Sequence, residues 1–466
     1  MGRADFTLLV IGAIVGADVY VVAAMGAASL GPAQLVAWVV AGVLAAFIAL
    51  AFVQCAAIDP DVGGSYAYAR SAFGPLVGFL AGWALYVGEW VALPVFPIAF
   101  VNYLHRVFPD LTAATDIPVK VGLVAVITVA NLVGVKKGAR INDLLSVAKL
   151  VPLLLLIVLA IAFTIVRPHQ AGGHLQPFAP LGWGGFGKAI VPIFWAYAGF
   201  ELAVLPAAEV RDPRRTLPQG LVLGVAIATI FYLLTAFAVV VALPWTDAAA
   251  SSSPLAAAMT AILDGLSGPG RVGAILMSIG ALISIAGVYQ AFTLGVSRLS
   301  YALAADGLFP SAFARIHPRF GTPHVGLAFQ ACFALVGATM FDLRGLITIA
   351  VLFLGLSYVL TALAALRLVA VHRDQALRIP GLRFGLVVAA LAGLYLATQA
   401  PLREIGIGAG VMLLGLALYA VRGRHWRTMV TEIETDERYA VAWAEHEYHW
   451  LSRPVRRLRD RLTQRR

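Results

Sequence analysis

The sequence is poor in charge and in cysteine. Asp, Glu, Lys and Arg together make up 12% of the 466 residues, whereas 61% are hydrophobic and the mean hydropathy is +0.87. Because soluble domains carry about 25% charged residues, this composition excludes an ordinary soluble domain. Two cysteines, Cys55 and Cys332, are too few for a disulfide framework, and both are expected to be small core residues.

The chain also lacks the residue patterns of catalysis. It contains no Gly-x-Ser-x-Gly, no phosphate-binding Gly-x-x-x-x-Gly-Lys and no His/Cys cluster with metal-ligand spacing. No enzyme activity, catalytic residue, metal, cofactor or ATP-driven step is therefore expected. The net charge of +10 lies mainly in loops and in the C-terminal segment. Anionic lipid headgroups are the expected partners of these charges, and nucleic acid is not.

Long apolar runs are what the chain has in abundance. Since about 20 apolar residues cross a bilayer as a helix, we predict an all-α integral membrane protein of about twelve transmembrane helices. The runs lie at residues 6–28, 33–57, 74–101, 117–135, 142–166, 187–207, 220–243, 272–301, 324–341, 345–369, 381–399 and 404–421. Lys and Arg concentrate in alternate loops, for example at Lys136, Arg211 and Arg315. This bias predicts a cell-membrane protein with both termini in the cytoplasm.

The C-terminal segment differs in composition from the rest. Residues 422–466 contain eleven arginines and no lysine, and Tyr439, Trp443 and Trp450 follow near-helical spacing. Such a pattern is typical of an amphipathic helix that lies on the membrane surface. We therefore predict a transmembrane domain at 1–421 and a basic cytoplasmic tail at 422–466. Docking of a partner is the alternative role for the tail.

Two apolar runs contain polar interruptions that a membrane anchor does not need. The stretch Phe194–Pro218 carries Gly199 and Glu201, and Ile11–Val22 carries Gly12, Gly16 and Asp18. A helix broken inside the membrane frees backbone groups, and these are tolerated only where they line a cavity. Corresponding breaks in two halves of a chain are typical of an inverted repeat with its binding site at the midplane. The pattern predicts a transporter.

Four stretches resemble the amino acid/polyamine/organocation permeases. Phe194–Pro218 is similar to their sixth helix, Gly63–Trp83 to the beginning of the third, Asn131–Leu150 to the junction of the fourth and fifth, and Arg298–Pro323 to the loop after the eighth. Together they span most of residues 6–370. The resemblance implies a LeuT-like fold of five plus five inverted helices, with helices one and six broken around the substrate and two further helices appended. It also implies transport by alternating access.

One departure from the family pattern bears on the substrate. Most amino acid permeases carry Gly-Ser-Gly or Gly-Ala-Gly where this chain carries Gly16, Ala17 and Asp18. Because an ionised Asp18 repels a carboxylate and attracts an ammonium group, we predict a secondary transporter of organic amines, polyamines or cationic amino acids, coupled to protons or to exchange. Four alternatives stay open. Two concern Asp18: it is protonated when a carboxylate binds, as in a neutral amino acid permease, or it only caps the broken helix. The other two concern the protein, which carries potassium or senses a ligand without moving it.

Further candidates are ionisable or aromatic residues inside the runs. Lys149 and Glu201 match family positions linked to coupling or gating. Alternatively, Lys149 extends its ammonium group to the inner membrane surface, and Glu201 is a structural partner of a lysine or tyrosine. Glu89 either joins Asp18 to hold a diamine or pairs with another helix. Trp195 matches a position that stacks on substrate, although core packing explains it equally well. The expected substrate-binding set is Gly12, Ala13, Gly16, Ala17, Asp18, Tyr86, Glu89, Trp195, Tyr197, Gly199 and Ser284.

Overall fold

The computed structural model describes residues 3–16, 18–59, 64–133, 150–203 and 213–422, and all its regular elements are helices. Short 3-10 turns lie at Gly31–Ala33 and Ser311–Ala314. The α-helices, numbered in chain order, are α1 Arg3–Ile14, α2 Val19–Leu30, α3 Gln34–Ile58, α4 Ser65–Phe73, α5 Pro75–Ala92, α6 Val95–Val107, α7 Ala113–Val133, α8 Val151–Val166, α9 Pro168–His174, α10 Phe186–Trp195, α11 Phe200–Ala203, α12 Pro213–Ala242, α13 Trp245–Ala250, α14 Pro254–Gly265, α15 Gly270–Ala305, α16 His324–Met340, α17 Leu343–Val371, α18 Leu382–Thr398 and α19 Leu402–Arg422.

The prediction of an all-helical membrane protein is confirmed. Within the described residues, seven helical stretches are long and apolar enough to cross a membrane, or eight if α8 and α9, bent by 111°, form one span. Four shorter apolar helices of 10–17 residues accompany them, namely α10, α14, α16 and α18. In its described part, each predicted run overlaps one or two helices. The count of twelve stays a prediction, because several runs are divided or short.

Small residues bring the helices into close contact. Two glycines of α12, Gly220 and Gly224, lie against α1 so tightly that an added Cβ would stand 2.5 Å from Phe6 and 2.6 Å from Val10. Because lipid gives helices little hydrophobic reason to associate, such close van der Waals contact is a main source of their cohesion. α12 is thereby fixed against the N-terminal helix that precedes the first break.

A second connection joins α4 to the end of α15. Arg70 on α4 lies 3.0 Å from Asp306, and the Tyr66 hydroxyl, which accepts a hydrogen bond from Arg70 at 2.9 Å, donates to the same carboxylate. Both charged side chains are more than a third exposed, so the pair contributes modestly to stability. Its effect is to fix the short helix α4, which the sequence analysis did not predict, beside α15.

One expectation about the cysteines is wrong. Cys55 on α3 is buried as expected, but Cys332 on α16 is exposed. The sulfhydryl group is apolar enough to face the outside of a membrane-spanning helix, so its position in an apolar run did not require burial.

Candidate functional site

The first predicted break lies between α1 and α2. Helix α1 ends at Ile14 and α2 begins at Val19. At Gly16, an added Cβ would stand 2.9 Å from a methyl group of Val288 on α15, so only glycine allows this approach. Asp18 follows with its side chain 3% exposed, and it makes no capping hydrogen bond to α2. The first break thus places a buried carboxyl group directly before α2.

The second break lies between α10 and α11. After Trp195 the amides of residues 196–198 bond to carbonyls three residues back, so the helix tightens and ends. Gly199 then adopts φ of +113°, a conformation that side chains other than glycine's disfavour. Its amide donates to the Glu201 carboxylate at 3.0 Å. Glu201 thus satisfies a backbone group that the break releases.

One tyrosine connects the two breaks. The Tyr232 hydroxyl on α12 lies 2.7 Å from the carbonyl of Ile14, the last residue of α1, and 2.9 Å from the carbonyl of Ala196, just past α10. The hydroxyl shares its proton between these acceptors, both of which have lost a helical partner. Tyr232 therefore holds the two broken ends beside each other in this conformation.

We expect Tyr232→Phe to lower the rate of transport about 5- to 150-fold without unfolding the protein. The substitution leaves two buried carbonyls unsatisfied, which costs about 1–3 kcal/mol in this conformation. Initial uptake rates in proteoliposomes measure the effect. Tyr419→Phe on α19 is the matched control, since the Tyr419 ring packs on Phe79, away from both breaks. Unchanged transport by Tyr232→Phe contradicts this role.

Three carboxyl groups converge where the broken helices meet α5. Asp18, Glu89 and Glu201 are 3%, 2% and 2% exposed. The carboxyl groups of Glu89 and Glu201 lie within hydrogen-bonding reach of each other, and Asp18 lies close enough for its charge to act on Glu89. The Oε1 atom of Glu89 has no hydrogen-bond partner among the described residues. The structure therefore brings together three of the four ionisable candidates, and the fourth, Lys149, lies outside the described residues.

Aromatic side chains exclude water from Glu201. The Tyr358 hydroxyl on α17 donates to Glu201 Oε1 at 3.3 Å. Around the Tyr358 ring, the centroids of Phe52, Phe194 and Phe200 lie 5.7–6.0 Å away. In such surroundings electrostatic interactions are stronger than in water, because the effective dielectric constant is low. A cation that enters here gains more from the carboxylates than it would at the surface.

The other predicted residues lie around this centre or pack elsewhere. Tyr197 donates to the Trp38 carbonyl at 2.8 Å and packs on Tyr232, so it forms part of the core. Trp195 is buried beside Phe96, with ring centroids 6.2 Å apart. Gly12 and Ala13 belong to the last turn of α1, and Ala17 lies outside the described residues.

Tyr86 and Ser284 are buried polar candidates. Tyr86, one turn from Glu89, stacks on Trp90 and contacts Phe309. Ser284 lies one turn before Val288 on α15, the helix that Gly16 contacts. Neither hydroxyl has a hydrogen-bond partner among the described residues. Both are therefore available to a polar ligand that reaches them.

Tyr232 and Tyr358 contact the site but were not predicted. A single tyrosine in an apolar run resembles any other large core residue, and its hydroxyl partner is unknown until the helices are packed. The only signal in the sequence is chemical, since a buried Tyr hydroxyl normally needs a partner. Here the partners are the broken helix ends and Glu201, respectively.

Comparisons with known proteins match most of the chain to transporters. A family model described as amino acid permease matches residues 2–412. The branched-chain amino acid permease BcaP of Bacillus subtilis is 28% identical over 71% of this chain and 72% of its own length. The methylthioribose transporter of the same bacterium is 28% identical over 68% and 70%, respectively. Cationic amino acid transporter 4 of Mus musculus is 28% identical over 74% of this chain and 55% of its own length.

Proposed function

Since the chain belongs to the amino acid permease family, and is thus a membrane-embedded transporter and not an enzyme, we propose that it carries organic amines by secondary active transport. The substrates of this class include monoamines, polyamines and cationic amino acids. Transport runs by alternating access and is coupled to protons or to exchange. Glu201 and Lys149 are the proposed coupling or gating residues.

The three buried carboxyl groups carry this proposal. Asp18, Glu89 and Glu201 lie together where the two helices break. The carboxylate of a neutral amino acid that approaches Asp18 meets like charge, and this repulsion is screened little in a buried site. A cationic amino acid carries a second positive group that can bind there instead. An ammonium group instead gains charge-assisted hydrogen bonds there. The family as a whole leaves the substrate open, because the three relatives are named for branched-chain amino acids, methylthioribose and cationic amino acids.

The wider architecture follows the same proposal. We count twelve transmembrane segments. Three of them are pairs of helices that form one span each, namely α1 with α2, α5 with α6, and α10 with α11. The other nine are single helices: α3, α7, α8, α12 and α15–α19. The breaks then fall in the first and sixth segments, as an inverted repeat of five plus five requires. We place both termini in the cytoplasm of a cell-membrane protein, with 1–421 as the transporter domain and 422–466 as a tail on anionic lipid.

A labelled substrate panel in proteoliposomes tests the function. We expect uptake of tyramine or putrescine above that of protein-free vesicles, and competition by the unlabelled compound. Leucine and rubidium ions serve as the contrasting substrates. Uptake of leucine alone contradicts the proposal in favour of a neutral amino acid permease. Uptake of rubidium alone identifies a monovalent-cation carrier, and no uptake of any compound contradicts transport by the chain on its own.

A further inference from the structure

The carboxyl groups of Glu89 and Glu201 lie within hydrogen-bonding reach of each other. Because two ionised carboxylates offer only acceptors, a hydrogen bond between them requires a proton. The position of that proton follows from the other partners. Glu201 accepts from the Gly199 amide on one oxygen and from the Tyr358 hydroxyl on the other. Such donors stabilise an ionised carboxylate. Glu89 offers its Oε1 atom to no donor among the described residues. The geometry therefore assigns the proton to Glu89.

We propose that this proton on Glu89 is the one exchanged for the substrate, so that the protein is an electroneutral antiporter of one proton against one monovalent primary amine. The inference rests on the proposed amine transport and specifies its coupling. Asp18 supplies the fixed negative charge that attracts the ammonium group. The Oε1 of Glu89, which has no partner in the described part of the chain, supplies the acceptor next to it.

The exchange balances in protons and charge. As the ammonium group arrives, the Glu89 O–H bond breaks, the proton leaves to the solution on the side from which the amine came, and an N–H donates to the new carboxylate. After the site turns to the other side, the amine departs and Glu89 takes a proton from that solution. Each cycle moves one amine cation one way and one proton the other. No oxidant, reductant or second substrate is needed.

The cost of burying charge favours this stoichiometry. Replacing a proton by a monovalent ammonium leaves the total charge of the site unchanged, whatever the other fixed charges are. The titratable groups that face Glu89 from the described helices are Asp18 at the first break, Glu201 on α11 and Tyr358 on α17. Uncompensated charge inside a membrane is expensive. Because the loaded site and the empty site carry the same charge, both can undergo the same conformational change. A divalent amine alters the site's charge and is expected to be carried more slowly.

The membrane potential distinguishes this coupling. Proteoliposomes with equal pH on both sides are given a potassium diffusion potential of 100 mV, inside negative, with valinomycin, and labelled tyramine is the probe. Accumulation of tyramine by the wild-type protein is expected not to respond to the potential, because each cycle moves no net charge across the membrane. Glu89→Gln keeps a donor for Glu201 but exchanges no proton, so each cycle moves one positive charge. Its accumulation is expected to rise by roughly 50-fold at this potential.

Two controls make the result decisive. Glu404→Gln carries the same substitution on α19 and is expected to behave as wild type. Tyramine counterflow, with unlabelled amine inside, checks that Glu89→Gln still binds and moves the substrate. Accumulation by the wild type that follows the potential overturns the proposal, even if the variant does not fold. Electroneutral uptake by Glu89→Gln also overturns it. Absence of any tyramine flux in the wild type instead rejects amine transport itself.

Discussion

Asp18→Asn is expected to abolish amine uptake. Asn keeps the size and polarity of the side chain but removes the negative charge at the first helix break, where the side chain is 3% exposed. Truncating one partner of a buried charge pair costs about 2–5 kcal/mol, which corresponds to a loss of roughly 30-fold or more in uptake at low substrate concentration. Initial rates of tyramine uptake measure the effect, and the detergent-purified variant is checked for its melting temperature.

The control for this variant is Asp110→Asn. Asp110 is exposed in the loop after α6, so its charge is solvated. It is not part of the carboxylate centre, the name we give to Asp18, Glu89 and Glu201 together. We expect it to transport amines at the wild-type rate. Amine uptake by Asp18→Asn at the wild-type rate contradicts the counter-ion role. If the wild type carries zwitterionic amino acids only, the amine hypothesis fails and Asp18 becomes a coupling or capping residue.

Both helix breaks could be predicted from sequence because each combines glycine with an ionisable residue in an apolar run. Glycine at Gly199 relieves a conformation that other residues disfavour, and a charge at Asp18 is expensive unless it has a function. These signals are local. The resemblance to a permease family then supplied the expected order of the helices. The family model, which matches residues 2–412, confirms membership of the family but does not test that order.

The pairing of Glu89 with Glu201 could not be predicted, since it depends on how distant helices pack. The sequence offered Glu89 two roles, beside Asp18 or paired with another helix, and the structure gives it both neighbours. Tyr358 reaches Glu201 across 157 positions of the chain. Such long-range contacts leave no periodic signal in a single sequence. The short helices α4 and α14 were missed for a different reason, because neither is long enough to span a membrane.

The carboxylate centre explains why the second break has its particular form. Glu201 lies two residues after Gly199, near enough to accept a hydrogen bond from the Gly199 amide while it also accepts one from Tyr358 and lies beside Glu89. The backbone break and the acid pair are therefore one structure. A change that restores regular helix at residue 199 must also withdraw a donor from Glu201. This connection predicts that backbone substitutions at the break alter transport as strongly as loss of a charged group does.

Gly199→Ala is accordingly expected to lower amine transport by about 5- to 150-fold. A side chain at φ of +113° costs on the order of 1–3 kcal/mol, and the backbone can avoid that cost only by rotating the amide away from Glu201. The matched control is Gly122→Ala on α7, where an added Cβ meets nothing within 4 Å. In a helix that change is expected to keep activity and to add about 0.5–1 kcal/mol of stability. Uptake rates and melting temperatures are measured for both variants. If Gly199→Ala takes up amine at the wild-type rate, transport does not depend on this backbone conformation.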